Sequence, residues 1–221
     1  MKLYRFRSLV ENDDLIRAKY ILETGFFWCS GFSELNDPVE GAFTIMPNNA
    51  GLDSKIINAI YNKKRGYKIC SFSTRDAFKN PIMWGYYTSG FKGMTIEVKV
   101  NEGEVNKIKY VDNITHLNDG QNIDEKTENI LTTKLTPWKH EKEYRFLKKS
   151  ANNYHKIGII TAVYFGNPYG RAVNQDSIYK DNSVLSGFNN LKENLINVAN
   201  SVKCYSIKII GEKVMKDKLL N

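Results

Sequence analysis

Tyr67-Lys68-Ile69-Cys70-Ser71-Phe72-Ser73 is the stretch on which the fold turns. It is apolar from Tyr67 to Phe72 and reads as a β-strand, with Phe72 toward the core and Ser71 and Ser73 sharing the other face. Just upstream, Ile56, Ile57, Ile60 and Tyr61 recur at helical spacing. Asp53 or Ser54 caps that helix and Gly66 ends it. Just downstream, Asn80-Pro81 sets a cap before a proline at the first helical position, opening a short helix through Trp84 and Tyr87. Met94–Val100 and Val105–Val111 then read as strands paired around a turn at Asn101–Glu104. Helix, strand, helix, strand, strand is not the regular alternation of a parallel βαβ fold.

Toward the N-terminus, Leu3–Phe6 is a short alternating strand. Asn12-Asp13-Asp14 offers cap oxygens to a helix that carries Leu15, Ala18, Ile21 and Leu22 and closes at Gly25. Phe26–Ser30 is a second short strand, and Asn36-Asp37-Pro38 is a turn by its chemistry. Toward the C-terminus, residues 112–122 read as a polar loop, Ile123–Leu135 as a helix and His140–Leu147 as a strand. Gly158–Phe165 reads as a central strand, Asn167–Gly187 as loop, Leu191–Ala199 as an amphipathic helix and Val202–Ile210 as a final strand. The expectation is an α+β fold, with mixed, mainly antiparallel sheet and flanking helices, in a single domain over residues 1–221.

Hydrophobic residues make up 42% of the 221 and aromatics 12%, enough for a core and well suited to a half-buried sheet. The formal net charge of +8 points to an anionic partner, nucleic acid or an acidic protein surface. No basic run is long enough to define a dedicated surface, and the Lys, Asn and Ile content has a bland origin in an AT-rich genome. Cys29, Cys70 and Cys204 are far apart and odd in number, so neither a disulfide framework nor a zinc site is expected. His116, His140 and His155 make no ligand pattern, and no metal is predicted. With no apolar leader or membrane span, the expectation is a cytoplasmic protein with no membrane partner.

Three short patterns carry chemistry. In Trp138-Lys139-His140-Glu141-Lys142-Glu143-Tyr144-Arg145-Phe146, strand alternation puts Glu141, Glu143 and Arg145 on one face. That face is either a self-paired edge or the charged wall of a cleft. Ser71 and Ser73 are either satisfying backbone groups or lining the same cleft. Arg5, between Tyr4 and Phe6, pairs with an acid or offers its fork to a phosphate or carboxylate. Asp37 and Glu40 belong to a turn, or orient Arg5 or a ligand ribose. Trp84, Tyr86 and Tyr87 are core rings or a stacking platform for a base or nicotinamide. Four carboxylates, Asp37, Glu40, Glu141 and Glu143, would serve a metal-dependent nuclease if the fold brought them together.

In order along the chain, Arg5, Ser71-Phe72-Ser73 and Glu141-Lys142-Glu143 resemble the Arg–Ser–Glu arrangement of ADP-ribosyltransferases, over roughly residues 3–147. The resemblance implies a split-sandwich fold and NAD as substrate. Arg5 would hold a phosphate or ribose. Ser71 and Ser73 would brace the nicotinamide side, and Tyr4, Asp37, Trp84 and Tyr87 would line the pocket. Glu143 would steady the oxocarbenium-like ribose as nicotinamide leaves, and Glu141 would face the acceptor. Successive blocks, from Leu3-Tyr4-Arg5-Phe6 and Leu35-Asn36-Asp37-Pro38-Val39-Glu40 to Met83-Trp84-Gly85-Tyr86-Tyr87 and Val163-Tyr164-Phe165-Gly166, resemble a bacterial family of unknown function, domain 2971. That family supplies no activity to transfer. The functional expectation is an NAD-consuming toxin or phage-defence effector. The alternative is a non-catalytic module that binds a nucleotide or peptide.

Overall fold

A computed structural model describes residues 1–45, 54–117, 122–168, 182–199 and 201–221. The strands are β1 (Lys2–Ser8), β2 (Phe26–Trp28), β3 (Phe43–Ile45), β4 (Tyr67–Ser73), β5 (Gly93–Val100), β6 (Asn106–Lys107) and β7 (Lys109–Val111). They continue with β8 (Thr115–Leu117), β9 (Thr133–Leu135), β10 (Glu143–Lys149), β11 (Tyr154–Lys156), β12 (Gly158–Phe165), β13 (Lys203–Ile210) and β14 (Lys213–Leu219). The α-helices are α1 (Asn12–Thr24), α2 (Ser54–Arg65), α3 (Arg75–Phe78), α4 (Pro81–Tyr87), α5 (Ile123–Leu131) and α6 (Asn182–Val198). The protein is α+β, with mixed, mainly antiparallel sheet and flanking helices. No helix among the described residues is long and apolar enough to cross a membrane.

The chain divides into two compact units, each built from separate segments. The first comprises Met1–Phe27, Phe72–Asn101 and Lys156–Asn221, the second Trp28–Ser71 and Glu102–His155. By sequence the first holds 18 Lys and Arg against 11 Asp and Glu, the second 14 against 13, so the basic excess belongs almost wholly to the first.

In the first unit the strands run in the order β14-β13-β12-β5-β1. β5 pairs antiparallel with β1, from Lys2 opposite Lys99 to Ser8 opposite Gly93, and antiparallel with β12. The last residues of β4 lie antiparallel to β1, with Tyr4 opposite Ser73. Opposed residues share a face. Tyr4, Phe6 and Tyr164 therefore lie on one side, packed against Phe78, Met83 and Trp84 of α3 and α4. Leu3, Arg5 and Arg7 project to the other, where Arg7 reaches Asp14 of α1 at 3.5 Å. Helix boundaries follow their chemistry. Gly25 takes φ 74° and its N–H closes α1 on Ile21, while the Asn80 side chain accepts from Ile82 N–H at 3.0 Å behind Pro81. Gly166 has a different reason to be glycine: a Cβ there would lie 2.0 Å from the Phe91 carbonyl oxygen.

In the second unit β4, β10 and β6 lie in that order. Two parallel pairs accompany them, β3 with β8 and β7 with β9. Ile60 of α2 packs on Ile130 of α5, and Leu131 packs on Tyr67 and Ile69 of β4.

Several sequence expectations need correction. Residues 123–135 are not one helix: α5 ends at Leu131 and Thr133–Leu135 is a strand. His140 and Glu141 belong to a 3₁₀ helix, Thr136–Glu141, so the strand starts at Glu143. Pro137 opens that turn, and Lys142 at φ 45° swings the chain out of it. β5 pairs with β1 and β12 rather than in a local hairpin, and residues 105–111 split into β6 and β7. β14 was not foreseen, the final helix begins at Asn182, and Thr115–Leu117 in the expected polar loop is a strand. Asp53, residues 118–121 and residues 169–181 lie outside the described residues.

Candidate functional site

The second unit carries a closed cluster of charge. Alternation on β10 buries Glu143 and Arg145 together, at 3% and 1% exposure. Arg145 donates through Nε to Glu143 Oε1 at 2.6 Å. One terminal nitrogen gives to Glu40 Oε1 at 2.7 Å and to the Leu131 carbonyl at 2.8 Å. The other gives to Glu40 Oε2 at 2.8 Å and Glu143 Oε2 at 3.1 Å. All five guanidinium donors are thereby used, the condition under which a buried arginine is tolerated.

Lys134, from β9, completes the cluster. Its ammonium lies 2.6 Å from Glu141, 3.4 Å from Glu143 and 3.9 Å from Glu40, and sits over the Trp138 ring at 4.7 Å. Its side chain is 6% exposed. The Ser71 hydroxyl is near enough to the Glu143 carboxylate to help lower its pKa. The Glu143 N–H donates to the Tyr110 hydroxyl at 2.9 Å.

Burial by itself would raise the Glu143 pKa. The Arg145 and Lys134 charges and the hydrogen bonds from Arg145 and Ser71 outweigh it, holding the carboxyl near about 2. Three carboxylates, Glu40, Glu141 and Glu143, face two cations. A third buried cation, Lys64, donates to the Gly41 carbonyl next to Glu40 and interacts with that carboxylate.

Beside the cluster is a cavity of about 20 Å³, lined by Asp37, Glu40, Thr133 and Lys134 among others, room for about one water. Asp37 is buried and caps its own turn, accepting from Val39 N–H at 3.0 Å.

Of the candidates from sequence, the second unit brings Ser71, Glu141 and Glu143 together with Glu40, and places Asp37 on the adjoining cavity. The others belong to the first unit. Arg5 is half-buried and projects from the face of β1 opposite to Tyr4 and Ser73. Tyr4 spends its hydroxyl on Glu97 at 2.9 Å, and Ser73 is buried. Trp84 is fully buried, edge-on to Phe6 and Phe78, with its indole N–H given to the Phe78 carbonyl at 2.7 Å. Tyr87 is half-buried, 4.9 Å from the exposed Tyr86 ring. The convergent carboxylates expected of a nuclease do meet in part, but Lys134 and Arg145 lie at their centre. Among the described residues, no group of three or more His, Cys, Asp or Glu is arranged to hold a metal ion.

Lys134 and Glu97 are buried charged groups, as are Lys64 and Lys126, with no short motif to mark them. Lys134 was hidden in an expected helix tail. Glu97 sits in the first unit, mid-strand between Ile96 and Val98, which was a readable signal for a buried acid. It accepts from Lys2 at 2.7 Å, Tyr4 at 2.9 Å, Thr161 at 2.6 Å and Tyr164 at 3.1 Å. Burial would raise its pKa, but these donors hold it below the ordinary value.

No protein-family model matches the chain, and no curated protein or solved structure matches it.

Proposed function

We propose that the protein is an NAD-consuming enzyme of the ADP-ribosyltransferase kind, with its reacting centre at Ser71 and Glu143 in the second unit. One observation carries this reading. Two residues 72 positions apart, which the motif resemblance assigns to one catalytic centre, lie close enough for the Ser71 hydroxyl to help lower the Glu143 pKa. A preorganised carboxylate such as Glu143 stabilises positive charge developing on a ribose as nicotinamide departs.

In that reaction the C1′–N bond of NAD breaks, nicotinamide leaves with the bonding electron pair, and an acceptor oxygen or nitrogen attacks C1′. Glu143 orients and stabilises the ribose, Ser71 holds the carboxylate in place, and Glu141 faces the acceptor. Glu143 is 3% exposed and paired with Arg145 and Lys134, so substrate reaches it only when those pairs open. The formal net charge of +8 suits an anionic acceptor, a nucleic acid or an acidic protein. A toxin or defence role follows if NAD is depleted in cells. The test is nicotinamide release from NAD by wild type and Glu143→Gln.

A second reading is favoured by the full pairing of Glu143 with Arg145 and Lys134. On it the cluster is a structural ion network and the protein a non-catalytic binding module. Wild type would then release no nicotinamide, and Glu143→Gln would show only a stability loss.

A further inference from the structure

Lys64, on α2, is 2% exposed and carries its ammonium into a pocket of aromatic rings, 4.3 Å from the Phe32 centroid, 4.9 Å from Tyr61 and 5.6 Å from Phe43. An apolar side chain of similar size would fill such a pocket without desolvating a charge. Burial pushes the Lys64 pKa below its ordinary value, and the Glu40 charge offsets only part of that. The ammonium is directed at the Gly41 carbonyl. We infer that Lys64 is a positioning residue for the Glu143 centre: it holds the turn at residues 37–42 by its backbone, and so presents Glu40 to Arg145. The inference deepens the enzyme reading, and as a claim about catalysis it rests on it.

The turn's internal bonds hold its shape but not its place. Within it the Glu40 N–H donates to the Asp37 carbonyl and the Ala42 N–H to the Val39 carbonyl, each at 3.0 Å, and the Asp37 carboxylate accepts from Val39 N–H. Arg145 and Lys134 reach the turn from outside through the Glu40 carboxylate, and Lys64 reaches it through the main chain one residue on. Gly41 allows this approach. Its φ is 66°, and a Cβ there would stand 3.1 Å from Lys64 Cε and Nζ. A bidentate pair needs carboxylate and guanidinium aligned, so an anchor one residue from Glu40 controls that pair. The groups that draw the Glu143 pKa down are Arg145, Lys134 and Ser71, so Lys64 acts on Glu143 through Glu40 and Arg145.

Hydrogen exchange of the Arg145 Nε–H, followed by nitrogen-15 NMR at pH 7 on the full chain, tests this, because that proton lies in the 2.6 Å bond to Glu143. Lys64→Met keeps the pocket filled and removes the donor. It should speed exchange about tenfold or more, the scale of one hydrogen bond from a charged group. Glu40→Gln should speed it too, and Lys64→Met on top of Glu40→Gln should add nothing, since both act along one path. Gly41→Ala, which pushes the ammonium away from the turn side, should repeat the Lys64→Met result and serves if that variant does not fold. A lysine that only stabilises the fold predicts a shifted melting temperature with Arg145 exchange unchanged. That result, or effects of Lys64→Met and Glu40→Gln that add, overturns the inference. Nicotinamide release on the same samples separates the two claims. Faster exchange without turnover by wild type keeps the positioning and removes the enzyme reading. Turnover with a wild-type kcat and unchanged exchange in Lys64→Met does the reverse.

Discussion

Arg145 grips both carboxylate oxygens of Glu40, at 2.7 and 2.8 Å, across 105 positions of sequence. The bidentate fork ties the Asn36–Gly41 turn to the middle of β10 and is the geometric centre of the charged cluster. Each partner is justified only by the other, because either alone would be a buried unpaired charge.

Arg145→Met should therefore be among the most damaging substitutions in the second unit. It removes the cation that pairs Glu40 and Glu143 directly and should cost about 3–5 kcal/mol. In a chain of this size that lowers Tm by roughly 6–20 °C. Adding Glu40→Leu should recover part of the loss, and thermal melts of the single and double variants read the coupling.

Acid should act through Glu143. A carboxylate whose folded pKa lies below its unfolded value stabilises the fold above the unfolded value, and loses that contribution as pH falls through the folded one. With an ordinary value of 4.5 and a folded value of about 2, the loss falls between those limits. It amounts to at most about 3 kcal/mol. Denaturant melts from pH 7 to pH 2 should show the gap between wild type and Glu143→Gln closing through that window. A gap independent of pH contradicts the pairing.

Tyr4→Phe removes one of four donors to buried Glu97 and should cost about 1–3 kcal/mol, with Tyr164→Phe similar. Because both serve one carboxylate, the double variant should depart from additivity. Urea melts of the set check this.

Two glycines should respond in opposite directions to alanine. At Gly166 a Cβ would collide with the Phe91 carbonyl, costing about 2 kcal/mol or more. Gly187 lies exposed within α6 with nothing near its Cβ position, and Gly187→Ala should stabilise by about 1 kcal/mol. Melting temperatures of the two variants give the signs.

How far the sequence reveals this structure depends on the range of the interaction. β4 is legible at both ends, and α1 and α4 nearly so, because Gly25, Gly66 and Asn80-Pro81 are local signals with local causes. The end of α5 was missed because Thr132 and Thr133 back-bond to Asn129 and disguise the exit into a strand. The start of β10 was missed because nothing local announces a left-handed Lys142. In the cluster, Glu143 and Arg145 are legible from strand alternation. The joining of Glu40 and Lys134 to them is tertiary, and no short motif encodes it. The register that sets Tyr4, rather than Arg5, opposite Ser73 is equally non-local, since shifting it by one residue exchanges the faces.

The most direct measurement is nicotinamide release from NAD by wild type and Glu143→Gln, at a temperature where circular dichroism shows both folded. The account predicts release by wild type and a loss of about two to three decades in the variant. No release by folded wild-type protein would contradict it.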